Sequence, residues 1–238
     1  MMKLYNKLFH PLSKFLRERE QYNHSVKLPK QLYALSSSPV VTLDTEAKSL
    51  DYIALDLETT GLDSSEDRIL SMGWVEMSSN RIDLQTSKHI LIDSKSQIKP
   101  ETAVINHITP KMLKTGISIH DAMAAFFKAA EGKVIVAHAT VVEQRFIARY
   151  LERSFHHQGL PLLWLDTMCI EKHMAKSLNR PDTDVSLGTT RERYHLPVYA
   201  AHNALTDAVA TAELLLAQMN RLNSSTPLCF AKLFRLSQ

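Results

Sequence analysis

Apolar positions in this chain follow two rhythms. Between residues 51 and 92 they form short solid or alternating blocks, and from about residue 120 such blocks alternate with helical stripes. Tyr52, Ile53, Ala54 and Leu55 make a run too short for a helix and suited to a buried strand. The pattern predicts strands over 52–57, 69–77 and 88–92, and Gly73 inside the second marks a bulge or a close backbone approach. A helix over 121–130 follows, with Ser118 or His120 near its start. Next come a strand over 134–137, an amphipathic helix over 141–153, and a strand over 162–165 that ends at Asp166 and Thr167. Helices over 168–176, around 187–194 and over 204–220 complete the pattern. Strands first, then strands alternating with helices, predict an α/β fold: a mixed sheet flanked by helices.

The first 49 residues differ. Leu4, Leu8, Phe9, Leu12, Phe15 and Leu16 recur at helical spacing, and Pro11 is either a break or a helix start. Lys3, Lys7, Lys14, Arg17 and Arg19 make this stretch basic. It reads as a helical arm packed on the main domain, or as an arm that binds a partner or nucleic acid. Ser36, Ser37, Ser38 and Pro39 predict a linker. The expected organisation is a helical extension and linker over 1–49, a main domain over 50–222 and a short tail over 223–238. Gln31, Leu32, Tyr33, Ala34 and Leu35 loosely resemble a sliding-clamp-binding pentapeptide.

Composition narrows the class. The chain has 238 residues, 45% hydrophobic and 22% charged, enough to bury a core without staples. Two distant cysteines, Cys169 and Cys229, point to a reduced compartment and exclude a disulfide framework. No apolar run approaches membrane-spanning length, and the N-terminus has no continuous apolar stretch of the signal-peptide kind. The expectation is a cytoplasmic protein with no membrane partner. A net charge of +3 is compatible with a nucleic-acid partner without requiring one.

The candidate chemistry begins at Asp56-Leu57-Glu58-Thr59-Thr60-Gly61. Side chains at i and i+2 of a strand share a face, so Asp56 and Glu58 face one way just before a glycine turn. Two carboxylates that close repel unless a cation lies between them, and the simplest hard cation is Mg²⁺ or Mn²⁺. The alternative is a strand end with two solvated acids. His202 precedes the last long helix and Asp207 sits in its first turns. Such residues serve as helix cap and dipole partner, or as a water-activating base beside a metal-binding acid. Glu143, one turn into the helix after strand 134–137, is either an exposed first-turn acid or one that points back over the strand end.

Together these segments resemble the three exonuclease motifs of the DnaQ-like superfamily, in its histidine-containing DEDDh branch. Asp56-Leu57-Glu58-Thr59-Thr60-Gly61 matches the first motif, His138 to Glu143 the second, and His202-Asn203-Ala204-Leu205-Thr206-Asp207 the third. Residues 105–113, with Asn106-His107-Ile108-Thr109, resemble the family's His-Gly-Ile-Thr segment, and Asp166-Thr167 matches a pair ending a later strand. The resemblance covers about residues 50–220 and is nearest, by motif content, to the proofreading epsilon-subunit type of bacterial DNA polymerase III. It implies an RNase H-like fold and metal-dependent 3′–5′ hydrolysis of a single-stranded nucleic-acid end, DNA or RNA, to nucleoside 5′-monophosphates. It implies that Asp56, Glu58 and Asp207, with Glu143 as fourth acid, hold two Mg²⁺ or Mn²⁺ ions. His202 would take a proton from the attacking water, and Leu57, Thr59, Thr60, Gly61, Leu62 and His138 would meet the terminal nucleotide. Roles in proofreading or DNA repair, with a DNA polymerase as partner, belong to the same resemblance. Only residues 223–238 follow the last predicted helix, so a polymerase-binding tail would be short or absent, favouring a stand-alone or differently partnered enzyme. The middle motif departs from the usual His-Asn-x-x-Phe-Asp: Ala139, Val142 and Glu143 replace its asparagine, phenylalanine and aspartate. A catalytically weak or silent module that binds nucleic acid or a partner on the same fold is the competing expectation.

Overall fold

A computed structural model describes residues 9–93, 108–223 and 227–238. Its strands are β1 Tyr52–Thr59, β2 Ile69–Ser78, β3 Arg81–Leu91, β4 Val134–Ala137 and β5 Trp164–Asp166. They form one sheet in the order β3-β2-β1-β4-β5. The first three pair antiparallel, β4 lies parallel to β1, and β5 parallel to β4. The helices are α1 Pro11–Ser25, α2 Lys30–Ser37, α3 Pro110–Leu113, α4 Ile119–Ala130, α5 Val141–Phe155, α6 Thr167–Ser177, α7 Leu187–Arg193, α8 Ala204–Leu222 and α9 Phe230–Leu236. This is the mixed sheet flanked by helices that the apolar pattern predicts.

Strand alternation divides the core in two. Tyr52 and Ala54 face a layer built from α1, α6, α8 and α9, through Leu12, Ile170, Leu215 and Phe230. Ile53, Leu55 and Leu57 face α2, α4 and α5, through Leu32, Phe126 and Phe146. Asp56 and Glu58 have the parity of Tyr52 and Ala54, so they continue the face that α8 covers. Gly73 pairs with Asp56 on β2, and a Cβ there would collide with the backbone of Ala204 and Leu205. The β1–β2 ladder runs regularly through Gly73. The glycine therefore marks a close approach, and it lets the first turn of α8 lie on the sheet beside Asp56. The irregularity falls between Glu58 and Thr59, where β1 leaves the ladder and turns.

Several boundaries differ from the sequence expectation. β3 begins seven residues earlier than 88, because its first half is mostly exposed and its alternation is confined to Ile82 and Leu84, too short to mark a strand. Ser36 and Ser37 end α2 instead of forming a linker. The hydroxyls of Ser36, Ser37 and Ser38 donate back to Tyr33 O, Ala34 O and Ala34 O, satisfying carbonyls at the helix end. Leu32 and Leu35 of the clamp-like pentapeptide are buried in the α2–α4–α5 core and so are not available to a clamp. Pro11 is a helix start, with His10 as N-cap, and Leu4 and Leu8 lie outside the described residues. The tail ends in α9, whose Phe230 and Leu233 are fully buried, and Phe230 N donates to Thr45 O at 2.7 Å. Residues ahead of β1 and after α8 thus pack into the same core as the sheet. Among the described residues, no helix is long and apolar enough to cross a membrane.

Candidate active site

The carboxyl end of β1 brings Asp56 and Glu58 to the start of α8, where Asp207 points back at them. One carboxylate oxygen from each of the three lies within 4.8 Å of the others. Asp207 Oδ2 accepts the His202 amide at 2.8 Å, so the loop ahead of α8 is tied to the acid behind it. Asn203 caps α8 by accepting from Thr206 N. The His202 side chain stays exposed at the mouth.

The second wall is the β4–α5 turn. Asp166, at the end of β5, holds it. Its Oδ1 accepts Ala139 N, Met168 N and Cys169 N at 3.1, 2.8 and 3.1 Å, and its Oδ2 accepts Thr140 N at 2.9 Å. One carboxylate therefore caps α6 and fixes the turn that carries Glu143. Glu143 is 4% exposed and adjoins Asp56, but it stands outside the group of three acids within 4.8 Å. His138 lines the cleft, yet both ring nitrogens are engaged, with Thr167 Oγ1 at 2.9 Å and Val185 O at 2.9 Å. The carbonyl requires a proton on Nε2, which leaves Nδ1 to accept from Thr167, and burial lowers the imidazole's pKa to favour that neutral form. His138 thus offers a substrate its ring edge rather than a free nitrogen.

The turn after β1 closes the cleft. Thr60 Oγ1 donates to Asp67 Oδ1 at 2.8 Å, and Asp63 N donates to Asp67 Oδ2 at 2.9 Å. A Cβ on Gly61 would run into the Asp67 carboxylate, so a side chain there would displace Asp67 from its bonds with Thr60 and Asp63. Leu62 projects beyond the turn, 71% exposed. Asp56, Leu57, Glu58, Thr59, Thr60, Gly61 and Leu62 line one side of a cleft of about 360 Å³. His138, Glu143, His202 and Asp207 line the other, joined by Ala139 and Val142, so every site residue expected from the sequence borders this space.

Charge in this cleft is uncompensated. Burial, then the charges of Glu143, Asp207 and Glu58, drive the Asp56 pKa well above the ordinary carboxylate range. Burial and Asp207 push Glu58 up to about 7. Burial, with a contribution from Asp166, pushes Glu143 up to about 8 against a hydrogen bond from its own backbone. Burial also raises Asp207, although the His202 and Asn203 amides oppose it. Among the described residues, no lysine or arginine forms a salt bridge with any of the four. Glu143 Oε2 is buried without a hydrogen-bond partner there. Hard oxygen donors, mutually repelled and without a salt-bridged lysine or arginine among the described residues, fit a divalent metal ion.

The family model described as Exonuclease, RNase_T, matches residues 53–215, which span all three motifs. The chain belongs to the exonuclease family. DNA polymerase III subunit epsilon of Treponema pallidum is 31% identical over 163 residues, covering 68% of this chain and 74% of that one. DNA polymerase III PolC-type of Thermotoga petrophila is 28% identical over 180 residues, covering 74% of this chain but only 12% of that one. The chain thus spans about an eighth of the PolC-type relatives. The solved structure of exonuclease X in complex with 5′ overhanging duplex DNA superimposes with a TM-score of 0.59 at 22% identity, covering 77% of this chain and 99% of that chain. The RNase H-like fold and the DnaQ-like resemblance drawn from the motifs both hold. In this exonuclease-family chain, sequence reasoning missed Asp67 and the clip role of Asp166. The Asp-Thr pair at 166–167 was the only local signal for the second. The segment 105–107 lies outside the described residues, while Thr109 caps α3 by accepting from Met112 N.

Proposed function

We propose that this chain is a metal-dependent 3′–5′ exonuclease that removes nucleoside 5′-monophosphates from single-stranded DNA ends. The observation that carries this reading is the group of three carboxylates within 4.8 Å, bonded through Asp207 to the loop that bears His202. Asp56, Glu58 and Asp207, with Glu143 beside Asp56, would hold two divalent cations, Mg²⁺ or Mn²⁺. Such ions supply positive charge to a scissile phosphodiester and lower the pKa of an attacking water. His202, exposed at the mouth, accepts that water's proton, which requires a neutral imidazole. Leu62 gives a terminal base an apolar surface to stack on, a contact indifferent to sequence and suited to an unpaired end. Ala139 and Val142 line the cleft without adding a polar group, so orientation of the strand falls to the Thr59–Leu62 turn. The relatives named DNA polymerase III PolC-type and subunit epsilon favour DNA as substrate and a DNA polymerase as partner. Proofreading or repair in the cytoplasm is the role this reading gives the chain.

Incubation of 5′-labelled single-stranded DNA and of short RNA with Mn²⁺ tests this directly. The expected result is a ladder shortening from the 3′ end, faster on DNA, abolished by EDTA and by Asp56→Asn. No shortening of either strand would leave only the silent binding module.

A further inference from the structure

His202 occupies a demanding position. It is exposed, it lies in a loop, and its backbone is left-handed with φ +66°. His195 is left-handed too, with φ +54°, but it closes α7 in the usual way, its amide donating to Glu192 O and that of Leu196 to Arg191 O, so His202 alone is the demanding position of this loop. Side-chain-bearing residues hold that conformation only where their surroundings impose it. Asp207 fixes one end of the loop through the His202 amide. The middle is fixed from elsewhere, by Arg191 on α7.

Arg191 is 4% exposed and uses its fork in three directions. Nη1 donates to Ala210 O on α8 at 2.6 Å, and Nη2 donates to Pro197 O in the loop at 2.8 Å and to Glu213 Oε2 on α8 at 2.7 Å. The Tyr199 ring lies against the guanidinium, 4.7 Å from ring centroid to Cζ, and Tyr199 Oη donates to Glu213 Oε1 at 2.9 Å. One planar cation thus joins α7, α8 and both Pro197 and Tyr199 of the loop. A lysine could not satisfy this set, because it presents a point charge without a rigid fork.

We propose that Arg191, Glu213 and Tyr199 are positioning residues for His202, presetting the 195–203 loop so that the imidazole stands at the cleft mouth. This rests on the exonuclease function proposed above. None of the three lines the cleft. The Arg191 charge also lowers the Asp207 pKa, but Tyr199→Phe and Arg191→Lys both keep that charge, so what they change runs through the loop. If the clamp served only to staple α7 to α8, its loss would lower stability without reference to His202.

Tyr199→Phe and Arg191→Lys, each made alone and on His202→Ala, separate these cases. Tyr199→Phe keeps the ring beneath the guanidinium and removes one hydrogen bond, so it should fold normally. On labelled single-stranded DNA with Mn²⁺, it should lower kcat about tenfold and change KM less than about twofold, as small misplacements of a reacting group do. Arg191→Lys should lose more. On His202→Ala, Tyr199→Phe should change the residual single-turnover rate by less than about twofold, since the group it positions is gone. Equal fold losses in both backgrounds overturn the proposal. Hydrogen exchange at the His202 amide needs no substrate; it should quicken in Tyr199→Phe, and an unchanged rate also overturns the proposal. A wild-type chain that shortens no strand overturns the exonuclease function and this inference with it. An active wild type with an indifferent Tyr199→Phe overturns the inference alone.

Discussion

Glu143 holds a buried carboxylate oxygen with no hydrogen-bond partner among the described residues, beside the equally crowded Asp56. Its folded pKa, about 8, lies above the ordinary 4.5, so the folded chain binds that proton more tightly than the unfolded one. Without metal, stability is therefore lost as pH rises from about 4.5 to about 8. Glu143→Gln cannot ionise, so it should gain on the wild type across that window. Urea melts in EDTA should show the smallest difference near pH 4.5 and an advantage that grows steadily up to about pH 8. An advantage independent of pH would refute the assignment. Activity should move the other way. Glu143 lies outside the 4.8 Å group, so Gln or Ala should cost about 10–100-fold in Mn²⁺-dependent rate, the range for groups that support metal ligands. The acids were legible in the sequence because strand parity and a helix start place side chains by local rules. The bonds from Asp166 to Thr140 and from Arg191 to Glu213 were not, since those partners lie 26 and 22 positions away and no periodicity connects them.

Between elements, the decisive contact is α8 on β2. Gly73 leaves no room for even one carbon against the backbone of Ala204 and Leu205, and backbone cannot swing aside as a flexible side chain can. Gly73→Ala must lift the first turn of α8, and Asp207 rides three residues further along it. The substitution should destabilise by about 1–3 kcal/mol, the usual cost of overpacking. A shift of about 1 Å at Asp207 should also cost up to about 10²-fold in rate, with weaker Mn²⁺ binding by calorimetry. Gly188→Ala on α7 is the control. Its Cβ would meet nothing within 4 Å, and it lies in the first turn, so it should leave the rate intact and stability unchanged or slightly raised. A Gly73→Ala chain with wild-type stability and rate would show that the helix does not depend on this approach. The sequence marked Gly73 as special but left bulge and close approach open, because the neighbour that decides it comes 131 positions later in the chain. Polar β3 and the serine-closed α2 escaped for a related reason: one is an exposed edge, the other ends on hydroxyls that also suit a turn.

Over the whole molecule, two hydrophobic layers grip a sheet whose middle strand ends in an electrostatic fault. Residues 9–49 and 227–238 strengthen that grip: Leu12 and Phe230 join one layer, Leu32 and Leu35 the other. A core closed from both chain ends can hold four acids together at a cost that a bound cation removes. Glu58 at about 7 and Glu143 at about 8, with Asp56 and Asp207 also raised, all bind protons more tightly folded than unfolded. The metal-free chain should therefore lose thermal stability as pH climbs from about 4.5 to about 8. Surface carboxyls act oppositely but at lower pH. Asp63, lowered by Ser65, and Asp184, lowered by the Ser186 amide, lose their contribution only as pH falls below the ordinary carboxylate range. Cations compete with the cleft's protons, so the Tm gain from Mn²⁺ should grow across the same window. At a hundred times Kd the gain is about 2.7 kcal/mol, or about 5–10 °C for a chain of this size. Thermal melts at pH 5.5, 7 and 8.5, with Mn²⁺ or with EDTA, read it directly. A gain that is flat with pH, or equal in Asp56→Asn, would mean that the cation binds elsewhere on the molecule.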